Sequence, residues 1–186
     1  MHRPRYPWSI VHSPQSIVKA VRVPRYGLWS MVYGLLACVV FAVPALAALG
    51  LSTDHRALAF GLMQPGEEKV LAQSGTHHNE ITCSSTSGNA WYLKISLVAP
   101  LASGGEEIPL ERFQWQVSRV DGAGTVVNQS QFKPLSLFPD LVYLSAPGEA
   151  AGAAVRFQFR YLLQVPEAQA AGSYHTAVRF TLTEVL

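Results

Sequence analysis

Cysteine is nearly absent from this chain of 186 residues: Cys38 and Cys83 are the only two. Two thiols cannot build a disulfide scaffold or a cysteine-rich zinc module. Charge is also scarce, at 14% against the roughly 25% usual for soluble proteins. No acidic residue precedes Asp54, whereas Arg3, Arg5, Lys19, Arg22 and Arg25 all do. From Ala48 onward nine basic residues face all twelve acidic ones, so the net +2 belongs to the leader and the body is acidic. A body with no concentrated basic stretch lacks the electrostatic footprint of nucleic-acid binding, and no nucleic acid is expected as a partner. Also lacking are a G-x-S-x-G nucleophile elbow and an H-E-x-x-H helix. Glu106-Glu107 beside Gly104-Gly105 reads as a solvated loop tip, not a catalytic carboxylate pair. No enzyme activity and no cofactor are expected.

The N-terminal region has the order of a secretory leader. A basic n-region spans residues 1–27, and an apolar h-region spans 28–43, broken only by Ser30 and Gly34. Pro44 then leads into Ala45-Leu46-Ala47, whose two alanines supply the small residues that a signal peptidase requires. The positive end stays on the cytoplasmic side while the apolar stretch enters the bilayer as a helix. Cleavage after Ala47 would release a secreted, periplasmic or cell-surface protein. Retained, Leu28 to Leu51 is long enough for a single N-terminal membrane anchor, which would be the chain's one contact with a membrane. Leu35-Leu36-Ala37-Cys38 has some lipobox character, but the residues after Cys38 stay apolar where a lipoprotein turns polar.

The body shows period two instead of the helical 3.6, as a strand with one buried face requires. Trp91, Leu93, Ile95 and Leu97 alternate with Tyr92, Lys94 and Ser96. Phe113, Trp115 and Val117 alternate with glutamines, and Val155 to Tyr161 alternates with Arg156, Gln158 and Arg160. Tyr174, Thr176, Val178, Phe180 and Leu182 share a fourth face. Fainter strands are expected at Ala57 to Leu62, Glu68 to Ala72, Glu80 to Thr86 and Leu141 to Leu144. The adjacent Leu162 and Leu163 break the alternation, through a bulge or through burial on both faces. Pro65-Gly66, Ser87-Gly88-Asn89, Asp121-Gly122-Ala123-Gly124 and Pro147-Gly148 supply turns between the runs. The fold expected is therefore all-β: one antiparallel, immunoglobulin-like β-sandwich of about 7–9 strands over residues 57–186. A short linker, 48–56, joins it to the leader, and a closed barrel is the structural alternative. Trp91, Phe113, Trp115, Phe157, Phe159, Tyr161, Tyr174 and Phe180 are the expected core.

Three groups of residues invite chemistry. His78, Glu80 and Cys83 are of the types that ligate zinc or copper, within His77-His78-Asn79-Glu80 and its following strand. His77 would need a loop conformation to join them, because adjacent strand residues point to opposite faces. Cys83 shares strand parity with Ile81, and the plainer expectation is a buried small hydrophobe. Tyr92 and Tyr143 are candidates for an aromatic platform that stacks on a glycan.

A succession of short phrases carries a resemblance. Ala59-Phe60-Gly61 leads to Pro65-Gly66-Glu67, then to Ile81-Thr82 with Ser84-Ser85, then to Gly88-Asn89-Ala90-Trp91-Tyr92-Leu93. The chain closes on Ala171-Gly172-Ser173-Tyr174 and Thr181-Leu182-Thr183. This succession resembles secreted bacterial immunoglobulin-like surface proteins, the spore-coat-U-like and pilin-like families among them. The resemblance implies export, a bacterial source and a structural or adhesive role at the cell envelope. Its implied partners are other envelope or surface proteins, with self-association through sheet edges by β-augmentation. Leu49 to Ala57 occupies the place of a donor segment but lacks the long apolar alternation expected of one. If the leader is removed as read, the exported protein will begin at Ala48. Intact mass measurement of secreted material checks this, and a mass that retains residues 28–47 would establish the anchored form instead.

Overall fold

The computed structural model describes residues 48–71 and 79–185. The expected signal helix, with Ala45 and Ala47, lies outside the described residues. What is described is all-β, with antiparallel sheets packed face to face.

Twelve strands follow one another. They are β1 (Leu49–Thr53), β2 (Glu68–Leu71), β3 (Glu80–Ser85), β4 (Tyr92–Leu97), β5 (Leu101–Ser103) and β6 (Glu106–Ile108). After a 3-10 turn at Leu110–Arg112 come β7 (Phe113–Asp121), β8 (Thr125–Val126), β9 (Lys133–Pro134) and β10 (Asp140–Leu144). A second 3-10 turn, Pro147–Ala151, precedes β11 (Val155–Gln164) and β12 (Val178–Thr183). The count exceeds the expected 7–9 through β5, β6, β8 and β9, each only two or three residues long. Such short pairings leave no readable alternation.

The larger sheet has the order β1-β3-β11-β7-β9. β11 organises it: β7 runs along one side from Arg156 to Leu163, while the other side is shared. β3 pairs with Val155 to Gln158, and β2 with Tyr161 to Gln164. The smaller sheet has the order β12-β4-β10-β8, and β5 with β6 forms a separate hairpin. Between the sheets lie Trp91, Trp115, Phe113, Phe157, Phe159, Tyr161 and Tyr174, all at most 2% exposed. Phe180, from the same expected set, is half-buried and meets Phe159 edge-on at 5.0 Å. Leu162 and Leu163 are both buried, so burial on both faces accounts for that pair.

Two expectations are corrected. Residues 48–56 are no simple linker: β1 pairs residue for residue with β3, from Leu49 opposite Ser85 to Thr53 opposite Ile81. The stretch thus completes this chain's own sheet. Ala57 to Leu62, in turn, is not a strand. Its Gly61 has a φ of 74°, and the Phe60 carbonyl accepts from the Lys69 ammonium instead of from a ladder partner.

The two sides of the sandwich are unlike. On one, the segment from Thr125 to Ser136 laces the sheets together: Val127 donates to Val142 in the small sheet, and Val117 in the large sheet donates to Asn128. Leu135 donates to Phe113, and Leu97 donates to Ser136. On the other side the edges of β1 and β12 run near each other without a hydrogen bond among the described residues. Because β12 supplies an entire edge and is preceded by the fully buried Tyr174, deleting Ser173 to Leu186 is expected to abolish the cooperative thermal transition. A truncated protein that still melts in one sharp step by circular dichroism would contradict this role.

Candidate functional site

The tyrosine platform does not form. Tyr92 is half-buried on the outer face of β4, between its partners Leu144 and Thr183. Tyr143 is fully buried instead of exposed. A bulge in the β10–β4 ladder is the reason: Leu141 pairs with the outward Lys94, but Tyr143 already pairs with the inward Leu93. The extra residue turns both Val142 and Tyr143 into the core, against the parity that the sequence suggested.

The metal set is not assembled either. His77 and His78 lie outside the described residues. Glu80 and Cys83 sit on opposite faces of β3, Glu80 outward and half-buried, Cys83 inward with no exposure. Their odd spacing of three residues already carried that signal. Among the described residues no group of three His, Cys, Asp or Glu side chains could hold a metal ion. Burial pushes the Cys83 thiol up to about 12, which keeps it protonated and unreactive at neutral pH.

Where Tyr143 points, the structure places a polar cluster that sequence reasoning missed. Glu149, in the second 3-10 turn, is only 6% exposed. Its carboxylate accepts from the Tyr143 hydroxyl (2.8 and 2.9 Å), from the Ala123 N–H (2.7 Å) and from the Ala146 N–H (2.7 Å). Tyr143 in turn accepts from Gly124 N–H at 2.6 Å. Trp91 stacks obliquely on Tyr143 at 5.4 Å and directs its indole N–H to the Glu149 carbonyl. Burial, then the bond to Glu149, raises the Tyr143 hydroxyl above the ordinary phenol range. The turn 121–124 passes so close that a Cβ on Gly124 would sit 2.2 Å from the Leu144 carbonyl oxygen. The one anticipatory signal was the pair of glycines in that turn. This cluster plugs one end of the sandwich and leaves no room for a ligand.

One His–carboxylate contact exists among the described residues, His55 with Asp54 at 2.9 Å. Asp54 also accepts from the Glu80 N–H at 2.7 Å, which ties the segment after β1 to the start of β3. The slot beside it is apolar, lined by Leu58, Phe60, Leu71, Phe113, Val178 and Phe180, with Asn79 and Tyr161 at its inner end. Asn79 donates to the Tyr161 hydroxyl there.

The slot opens at the free edge of β12. Val98 donates to the Ala177 carbonyl, so residues 177, 179, 181 and 183 stand in the hydrogen-bonded register with β4. The N–H and C=O groups of Val178, Phe180 and Leu182 therefore face outward, with no backbone partner among the described residues. Their side chains face inward, toward the slot. Among the described residues no helix is long and apolar enough to cross a membrane.

No family model, no curated protein and no solved structure matches this chain. Its own geometry has to carry the functional reading. The Glu149 cluster yields a direct test of what holds the plug. Glu149→Gln puts an amide donor against the Ala123 or Ala146 N–H and should cost about 2 kcal/mol in denaturant unfolding. An unchanged midpoint would show that the carboxylate's bonds contribute nothing.

Proposed function

We propose that this chain is an exported structural or adhesive protein of the bacterial envelope or surface, without catalytic activity, that works through protein–protein contacts. The leader supports export: basic residues, an apolar run and Ala45-x-Ala47 in that order. Support for contact instead of chemistry comes from the interior. The buried Glu149 carboxylate is engaged in holding turns together, the Cys83 thiol is buried, and among the described residues the apolar slot has no nucleophile beside the His55–Asp54 pair.

The observation that carries the reading is the β12 edge. Among the described residues, Val178, Phe180 and Leu182 offer backbone donors and acceptors with no backbone partner, beside an apolar slot. An incoming strand, from another envelope protein or a second copy, would satisfy those groups and lay alternate apolar side chains over Val178 and Phe180. Each backbone bond adds about 1 kcal/mol or less net, and apolar contact at the slot, about 20 Å³ in volume, adds to it.

The edge is testable with Leu182→Pro, since proline is tolerated on an edge strand where its missing N–H faces outward. The wild-type protein from Ala48 should associate as its concentration rises in sedimentation velocity. The variant should stay monomeric with its melting transition preserved. A wild type that stays monomeric, or a variant that associates equally, rejects the edge as the contact.

A further inference from the structure

The outer face of the larger sheet carries a second surface, on the opposite side of the sandwich from Tyr92. Along β11, Arg156, Gln158 and Arg160 alternate outward. On β7 a bulge opposite Gln158 and Phe159 inserts Ser118, and both Ser118 and Arg119 emerge on this face. Register then sets Gln158 between Glu80 and Arg119, and Arg156 between Thr82 and Asp121. Glu80, Arg119, Asp121, Arg156 and Gln158 line a wholly polar depression of about 120 Å³.

The arginines here are not neutralised. Among the described residues the ion pairs are His55–Asp54 and Lys133–Asp140, so no carboxylate lies within 4.0 Å of Arg119, Arg156 or Arg160. Glu80 and Asp121 share the depression but stand apart from the guanidiniums. Arg160 lies 5.6 Å over the Phe132 ring, which holds it in place, and its Nε is buried without a hydrogen-bond partner. Three guanidiniums without an ion-pair partner among the described residues thus share this face with Glu80 and Asp121.

We infer that this face binds a carboxylate-bearing glycan of the uronic-acid class. A guanidinium presents paired donors that match a carboxylate's two oxygens. The depression is smaller than a pocket that would engulf a ligand, so it seats the carboxylate between Arg119 and Arg156 while the sugar lies along the sheet. Ring hydroxyls donate to Glu80 and Asp121 and bond with the Gln158 amide. Arg160 lies roughly 13 Å further along β11 at strand spacing, in line for a second acidic sugar. The two acids decide the class. A phosphodiester backbone brings anionic oxygens without hydroxyl donors for them, and an acidic peptide sets no hydroxyl beside its carboxylate. An acidic sugar does.

The proposal is independent of the edge contact, and Leu182→Pro protein serves for its test as well as the wild type. Titration calorimetry at low salt with oligogalacturonate should give saturable binding that is lost when the same oligomer is methyl-esterified. Arg119→Ala and Arg156→Ala should each weaken it about tenfold, and Arg156→Lys should weaken it as well, because an ammonium cannot make the paired contact. Both arginines are exposed, so the melting temperatures should not move. Absent binding, equal binding of the esterified oligomer, tighter binding of oligothymidylate or polyglutamate, or arginine variants that bind like wild type would each overturn the assignment.

Discussion

The structure depends on one strand being paired along most of its length on both sides. β11 satisfies its backbone through β7 on one flank and through β3 and β2 in turn on the other. Its inward residues Phe157, Phe159 and Tyr161 form the spine of the aromatic interior. Buried peptide groups must be hydrogen-bonded, and apolar rings must leave water. Only an extended segment with neighbours on both flanks meets both demands in the middle of a sheet. The other strands are arranged around that requirement.

The same requirement, met unevenly at the margins, creates the asymmetry that the functional reading uses. From Thr125 to Ser136 the chain crosses between sheets and gives its backbone groups to β7, β10 and β4 alternately, which removes that edge. Nothing described performs this service for β12. An exposed edge is an aggregation hazard that natural proteins usually blunt with charge or proline. Here the outward backbone of Val178, Phe180 and Leu182 has no backbone partner among the described residues, beside an apolar slot. The end of the sandwich near Trp91 is sealed differently: Glu149, with no ion-pair partner among the described residues, is stabilised by the Tyr143 hydroxyl and two backbone N–H groups.

Much of this architecture was legible in the residue pattern. The four long alternations became β4, β7, β11 and β12, because a side chain's face on a regular strand follows from parity alone. The weaker expectations at Glu68 to Ala72, Glu80 to Thr86 and Leu141 to Leu144 correspond to β2, β3 and β10, within a residue at each end. β1 escaped notice because Gly50 and Ser52 break its apolar pattern and its main anchor is the ladder to β3, which composition does not encode. Tyr143 was misplaced because a bulge shifts parity by one residue, and a bulge leaves no mark in the alternation of a five-residue strand. Glu149 was overlooked because a lone glutamate after Pro-Gly reads as a solvated turn until its three donors are seen around it.

From the sequence alone followed the partition of charge between residues 1–47 and 48–186, the antiparallel sandwich and the aromatic membership of its core. The reason is that short-range periodicity and charge order are local properties of the chain. Only the tertiary structure decided which edge stays open, which tyrosine turns inward, and which arginines stand together without partners. Those outcomes depend on the register between strands distant in sequence, and a one-residue slip in register reverses every face.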